Sequence, residues 1–253
     1  MCRFPCGKNS GIDGKRDTEA IFKAFCGADG GGRHEGNLYI WRICPQSTVI
    51  SIIRIAVLSS TRATDMDALV DAIRYDGLDA EIVALAANKN CPALERARGF
   101  GIPALFVDAK GMDKEEYDRA LYAALEPRKP DLIVLIGYMR FLTKWFVDRF
   151  PGRIVNVHPS LLPEFAGERD PGIYESILAS GKARTGATIH LVDETPDGGP
   201  VISQKEVGIA EGETPETLKA KVQAVEQELL VKAVDLFSKG KVAVTGSKVV
   251  MPR

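Results

Sequence analysis

The sequence predicts a doubly wound, mostly parallel α/β sheet, on two observations. From residue 53 onward, segments with strand character alternate with segments of helical period, the pattern of a sheet covered by helices on both faces. One strand-like segment, 132–136, is apolar almost throughout, as expected of a parallel strand buried on both sides.

Each element has its own local signal. Residues 53–59 form an apolar strand. In 65–75, Met66, Leu69, Val70 and Ile73 recur at helical spacing. Residues 80–86 are strand-like, 94–100 are helical with Gly101 closing the helix, and 104–107 form a short strand. Asp113 is placed as an N-cap before a helix carrying Tyr117, Leu121 and Leu125. After the 132–136 strand comes Arg153-Ile154-Val155-Asn156-Val157-His158, a strand stopped by Pro159, which has no amide hydrogen to continue the ladder. A helix follows near 174–180, then strands over 185–192 and 201–207, and a long helix over 214–239. Residues 53–253 are read as one domain. Residues 1–52 are read as a poorly ordered or non-core extension, because they contain Asp29-Gly30-Gly31-Gly32 and almost no apolar period. A chain shortened to start near Ile50 is therefore expected to fold and stay active, with soluble yield and turnover as the measurements.

Composition excludes several classes. The chain has 253 residues, 45% hydrophobic and 26% charged, with a net charge of -1. That balance gives no reason to expect nucleic-acid or membrane binding. The apolar run 49–59 is interrupted by Arg54 and falls short of the roughly 20 residues a membrane span takes. The five cysteines (Cys2, Cys6, Cys26, Cys44, Cys91) match no common zinc spacing, and their odd number argues against a disulfide framework. Reduced thiols, a cytoplasmic location and no metal are the expectation.

The chemistry concentrates at strand ends. Side chains two apart on a strand share a face, so Asn156 and His158 project together where the chain leaves the sheet. An amide donor beside a group that titrates near neutrality is a catalytic pairing. Asp197, in the turn-rich segment Asp193-Glu194-Thr195-Pro196-Asp197-Gly198-Gly199, is placed to reach an imidazole and hold its cation; the two glycines after it are read as giving the backbone the freedom it needs there. No Ser or Cys nucleophile accompanies the set, which favours direct acyl transfer over a covalent acyl-enzyme. Ligands of such sheets bind beyond the carboxyl ends of the strands, so Ser59, Ser60, Thr61 and Arg62, the Gly137-Tyr138-Met139-Arg140 segment and Asn156/His158 are expected to meet at one crevice. His190, in the middle of a strand, is read as structural. Gln223 and Glu226, three apart, share a helix face.

The stretch from Asn156 to Pro163, Asp197-Gly198-Gly199-Pro200, Gly137-Tyr138-Met139-Arg140-Phe141-Leu142 and Gln223-Ala224-Val225-Glu226 together resemble the folate-dependent formyltransferases, on the branch that acts on glycinamide ribonucleotide. The resemblance spans about residues 54–244. It implies a Rossmann-like formyltransferase fold and transfer of a formyl group from 10-formyltetrahydrofolate to the amine of glycinamide ribonucleotide in purine synthesis, without a metal. It implies His158 as the general acid, Asn156 as the group that polarises the formyl oxygen, and Asp197 as the group that raises the imidazole pKa. Met139, Arg140, Phe141, Leu142, Asn156, Asp193, Glu194, Thr195, Pro196 and Asp197 would line the folate pocket, with Lys114 on its edge. Ser59, Ser60, Thr61, Arg62, Thr64, Gln223 and Glu226 would bind the ribonucleotide. Two departures stand out. The glycine-rich phosphate loop of the family is replaced by Ser59-Ser60-Thr61-Arg62-Ala63-Thr64-Asp65, whose hydroxyls, arginine and helix N-terminus can still hold a phosphate. The segment Gly167-Glu168-Arg169-Asp170-Pro171-Gly172 replaces a shorter one that bears a histidine. The alternatives are a formyltetrahydrofolate deformylase and a non-catalytic folate- or nucleotide-binding protein. The oligomeric state is open, a homodimer included.

Overall fold

The structure, a computed structural model, describes residues 38–40, 52–168, 172–245 and 248–250. Most of the expected extension, with four of the five cysteines, lies outside the described residues; the fifth, Cys91, is buried as a free thiol.

Two sheets are present among the described residues. The large one has seven strands: β2 (Ile53–Ser59), β3 (Ala80–Ala87), β4 (Ala104–Phe106), β5 (Leu132–Leu135), β6 (Ile154–His158), β7 (Arg184–Leu191) and β8 (Val201–Gly208). Their order is β4-β3-β2-β5-β6-β7-β8. The first five in that order pair in parallel, and β7 and β8 complete the edge antiparallel. The small sheet joins β1 (Leu38–Ile40), β9 (Ala243–Thr245) and β10 (Lys248–Val250). Because β1 belongs to the stretch read as an extension, shortening the chain to residue 50 removes one edge of the small sheet and no strand of the large one.

The period of two along each parallel strand divides the core between the two faces of the sheet. Ile55 and Val57 of β2 face one side, where they join α1 (Met66–Tyr75), α2 (Pro92–Gly99), α5 (Ile173–Ala179) and α6 (Pro215–Ser238). Ala56 and Leu58 face the other, against α3 (Lys114–Leu125) and α4 (Lys144–Val147). Tyr117, Leu121 and Leu125 of α3 are fully buried at spacings of four; each apolar side chain so buried contributes roughly 1.5–3 kcal/mol. The start of α3 is set by a capping box: Asp113 accepts from the Glu115 and Glu116 amides, and the Glu116 carboxylate accepts from the Asp113 amide. Thr214 caps α6 in the same way with Thr217, and Pro215 fills its first position, where no amide partner is lost. Pro92 does the same for α2, which therefore starts two residues before the helical spacing in the sequence suggests.

Candidate active site

The strand order creates the site. From β2 the chain winds outward through β3 and β4, then returns to β5 on the other side of β2 and continues to β6. The loops after β2 and β5 therefore part in opposite directions, and a crevice opens at their carboxyl ends. A cleft of about 190 Å³ lies there, lined by 61–65, 135–142, 156–159 and 192–197 and by residues of α6.

Internal bonds hold its walls. The Ser60 amide donates to the Gly137 carbonyl at 3.0 Å. Ser60 Oγ donates to Asn88 Oδ1 at 2.6 Å and accepts from the Met139 amide at 2.9 Å. Gly137 has φ 58°, and a Cβ there would overlap Thr61 Oγ1, so the two loops meet at a point that only glycine fits. Behind the second loop, buried Asp118 of α3 accepts from the Thr143 amide and hydroxyl at 2.6 and 2.7 Å. Arg140 lies over the Tyr117 ring, 4.4 Å from its centre. The 137–143 segment is thereby pinned to α3, with Phe141 left 45% exposed.

The antiparallel register of β6 and β7 sets Asn156 opposite His190 and His158 opposite Thr188. Asp197 then reaches Asn156, His158 and His190. Its Oδ2 lies 3.6 Å from His158 Nδ1 and accepts from the Gly167 amide at 2.8 Å; its Oδ1 accepts from Asn156 Nδ2 at 3.3 Å and lies 3.6 Å from His190 Nε2. His190 Nδ1 donates to the Leu191 carbonyl at 2.9 Å, which leaves Nε2 to accept from Asn156 Nδ2 at 3.0 Å. Both amide hydrogens of Asn156 are thus engaged. His158 Nε2 is buried and has no hydrogen-bond partner among the described residues.

Two features of the loops differ from the expectations. The left-handed backbone in the Asp197 segment is at Asp197 itself, φ 50°, not at the glycines after it. Those glycines serve packing: a Cβ on Gly199 would overlap the Leu191 carbonyl. In the glycine-free loop Ala63 takes φ 49°, a strained conformation that glycine adopts freely.

Burial dominates the charge state of His158. It lowers the imidazole pKa below the ordinary value; Asp197 opposes this, His190 adds to it, and the Phe165 carbonyl and Glu168 also oppose it. Asp197 raises the imidazole pKa as expected but does not outweigh burial, so the resting imidazole is neutral at pH 7. Burial pushes the Asp197 carboxyl up, yet His190, the His158 ring and the Gly167 amide together hold it below the usual carboxylate range.

Of the expected folate residues, Met139, Arg140, Phe141, Leu142, Asn156, Asp193, Glu194, Thr195, Pro196 and Asp197 all line the cleft. Lys114 does not; it is the exposed first residue of α3. Thr61, Arg62, Thr64, Gln223 and Glu226 line the cleft too. Ser59 and Ser60 do not, because both are buried and their hydroxyls are spent within the loops, Ser59 Oγ accepting from the Thr61 amide at 3.2 Å. The sequence reading missed three others. His190 belongs to the polar cluster, not only to the core. Asp65 lines the cleft beside Thr64. Lys219, over the Tyr174 ring, lies four residues before Gln223 and on the same helix face, a spacing that was open to detection. Among the described residues no group of three or more His, Cys, Asp or Glu is placed to hold a metal ion, and no helix is long and apolar enough to cross a membrane.

Known proteins are similar to this chain in sequence and in fold. The family model described as formyl transferase matches residues 53–234. A phosphoribosylglycinamide formyltransferase of Mycobacterium tuberculosis (strain ATCC 25618 / H37Rv) is 37% identical over 201 residues, covering 79% of this chain and 92% of that protein. Its namesake in Escherichia coli (strain K12) is 34% identical over 189 residues, covering 74% and 88%. The crystal structure of glycinamide ribonucleotide transformylase 1 from Symbiobacterium toebii superposes with a TM-score of 0.76 at 33% identity, covering 80% of this chain and 95% of that one. The family match runs from the first residue of β2 into the last turns of α6 and takes in the strands, loops and helix that build the cleft, so the chain belongs to the formyl transferase family.

Proposed function

We propose that the chain transfers the formyl group of 10-formyltetrahydrofolate to the amine of glycinamide ribonucleotide, giving formylglycinamide ribonucleotide. The observation that carries the reading is the convergence of Asn156, His158 and Asp197 at the carboxyl end of β6, between a loop rich in hydroxyls and an apolar-walled loop. The folate occupies the side formed by Met139 to Leu142 and Asp193 to Asp197. The ribonucleotide occupies the side formed by Thr61 to Thr64, Gln223 and Glu226.

The amine nitrogen attacks the formyl carbon and gives a tetrahedral adduct. The adduct's oxyanion is met by an Asn156 N–H, which exchanges its bond to His190 or Asp197 for one to the substrate. The neutral His158 imidazole takes the proton lost by the amine. Asp197 stabilises the resulting cation. The imidazolium then returns the proton to the folate nitrogen as the carbon–nitrogen bond breaks, so acid and base work pass through one ring.

The deciding assay follows tetrahydrofolate release with and without glycinamide ribonucleotide. Release that depends on the amine is expected. Equal release in its absence overturns transfer in favour of hydrolysis. A second expectation concerns Arg62, which is exposed on the ribonucleotide side. Arg62→Ala should weaken ribonucleotide binding by about 1.5 kcal/mol, the low end for hydrogen bonds to a charged group, because water screens an exposed guanidinium. Folate affinity should hold. Unchanged ribonucleotide affinity in a calorimetric titration would leave the phosphate to hydroxyls and backbone amides.

A further inference from the structure

Asp65 is an acid in the pocket end assigned to an anion. It closes the loop after β2 and precedes the first turn of α1. It lines the cleft with Arg62, Thr64, Lys219 and Gln223, although it is only 6% exposed. Its carboxyl is not spent as a helix cap, since it makes no side-chain bond to the α1 amides. Instead Asp65 Oδ1 accepts from Gln223 Nε2 at 3.3 Å, and the same nitrogen donates to Thr64 Oγ1. One amide of α6 therefore fixes both the last hydroxyl of the phosphate loop and the acid beside it.

The groups around Asp65 do not favour its ionised form enough to overcome burial. Burial pushes its pKa up to about 6, and Asp67 of α1 adds to this. Gln223, Gln227 and Lys219 of α6 pull the other way. Asp67 is itself paired with Arg96 of α2 at 2.5 Å, and Glu226 of α6, 7% exposed, lines the same cleft. Arg62 is the exposed cation of the loop. A phosphate monoester has its second ionisation near pH 6. Two acids of similar strength in one desolvated pocket cannot both ionise freely, and they titrate as a pair.

We propose that Asp65 makes ribonucleotide binding a proton-coupled step, in which its carboxyl and the substrate phosphate hold one proton between them, taken up from solvent. This rests on the ribonucleotide reading given above. Below about pH 6 Asp65 is already protonated, donates to the phosphate and needs no further proton. Above it, free Asp65 and free phosphate are both ionised, and each complex formed draws in a proton. Affinity therefore falls as pH rises, by up to about tenfold per pH unit.

Calorimetric titration of glycinamide ribonucleotide into the full chain near pH 8, in two buffers of unlike ionisation heat, counts the protons. Wild type should take up clearly more than Asp65→Asn, whose amide keeps the size without the charge. The variant should bind at least about tenfold more tightly than wild type near pH 8 and about equally near pH 5.5. Asp65→Ser, also uncharged and tolerated before a helix, should shift the pH profile in the same direction, which guards against a folding defect peculiar to one substitution. Equal proton uptake and parallel pH profiles in wild type and variants overturn the proposal, as does weaker binding by folded Asp65→Asn near pH 8. Absence of ribonucleotide binding in every folded form overturns the ribonucleotide reading itself.

Discussion

His158→Ala is expected to lower turnover at least about a hundredfold, the scale on which a lost acid–base group is felt, while the chain still folds. The ring sits at the end of β6, so its removal breaks no ladder bond. Asp197 keeps its bonds from the Gly167 amide and Asn156, and the ring's buried Nε2 gives up no partner among the described residues. Substrate affinity should change far less than turnover, because the groups assigned to the ligands lie on the flanking loops. Steady-state kinetics on purified variant with an unchanged far-UV spectrum is the measurement. Near-wild-type turnover would remove His158 from the mechanism.

Asp197→Asn is expected to damage turnover more than binding. Asparagine accepts the left-handed backbone that Asp197 adopts at φ 50°, so the loop is not strained by the change. The amide still offers one oxygen to the Gly167 amide but carries no charge. The contribution that opposes burial at His158 is lost, and the imidazole pKa should fall further below its already lowered position. An NMR titration of the His158 ring that shows no fall would refute the coupling. Stability gives a second readout. A carboxyl held below its ordinary range stabilises the fold above that range, and the contribution is lost as pH falls through the lowered pKa. The gap in melting temperature between wild type and variant should therefore close in acid.

Much of this site was legible in the sequence because its residues obey short-range rules. Asn156 and His158 two apart before Pro159 fix a shared face and a strand end, and Asp113 fixes the start of α3 together with Glu116, three residues on. What was hidden depends on register and direction. His190 looks like any core histidine until β6 and β7 pair antiparallel and set it opposite Asn156. Whether a loop hydroxyl turns inward or outward is not written in its residue type, so Ser59 and Ser60 read like Thr61 and Thr64, although the first two brace the loops. Lys114 shows the same limit: the cap that starts α3 is local, but the distance from that cap to the cleft is not. The four-residue α4 and the three-residue β9 and β10 are too short to carry a period.

The bonds from Gln223 to Thr64 and Asp65 span 159 and 158 residues. During translation at about 5–20 residues per second, the two ends of that contact leave the ribosome on the order of ten to thirty seconds apart. Asn156, His158 and Asp197 are all made within that interval, before Gln223 exists. A nascent chain thus acquires the atoms proposed to handle the proton before the amide that braces the loop proposed for the phosphate, and that loop is held only once α6 has been synthesised and docked.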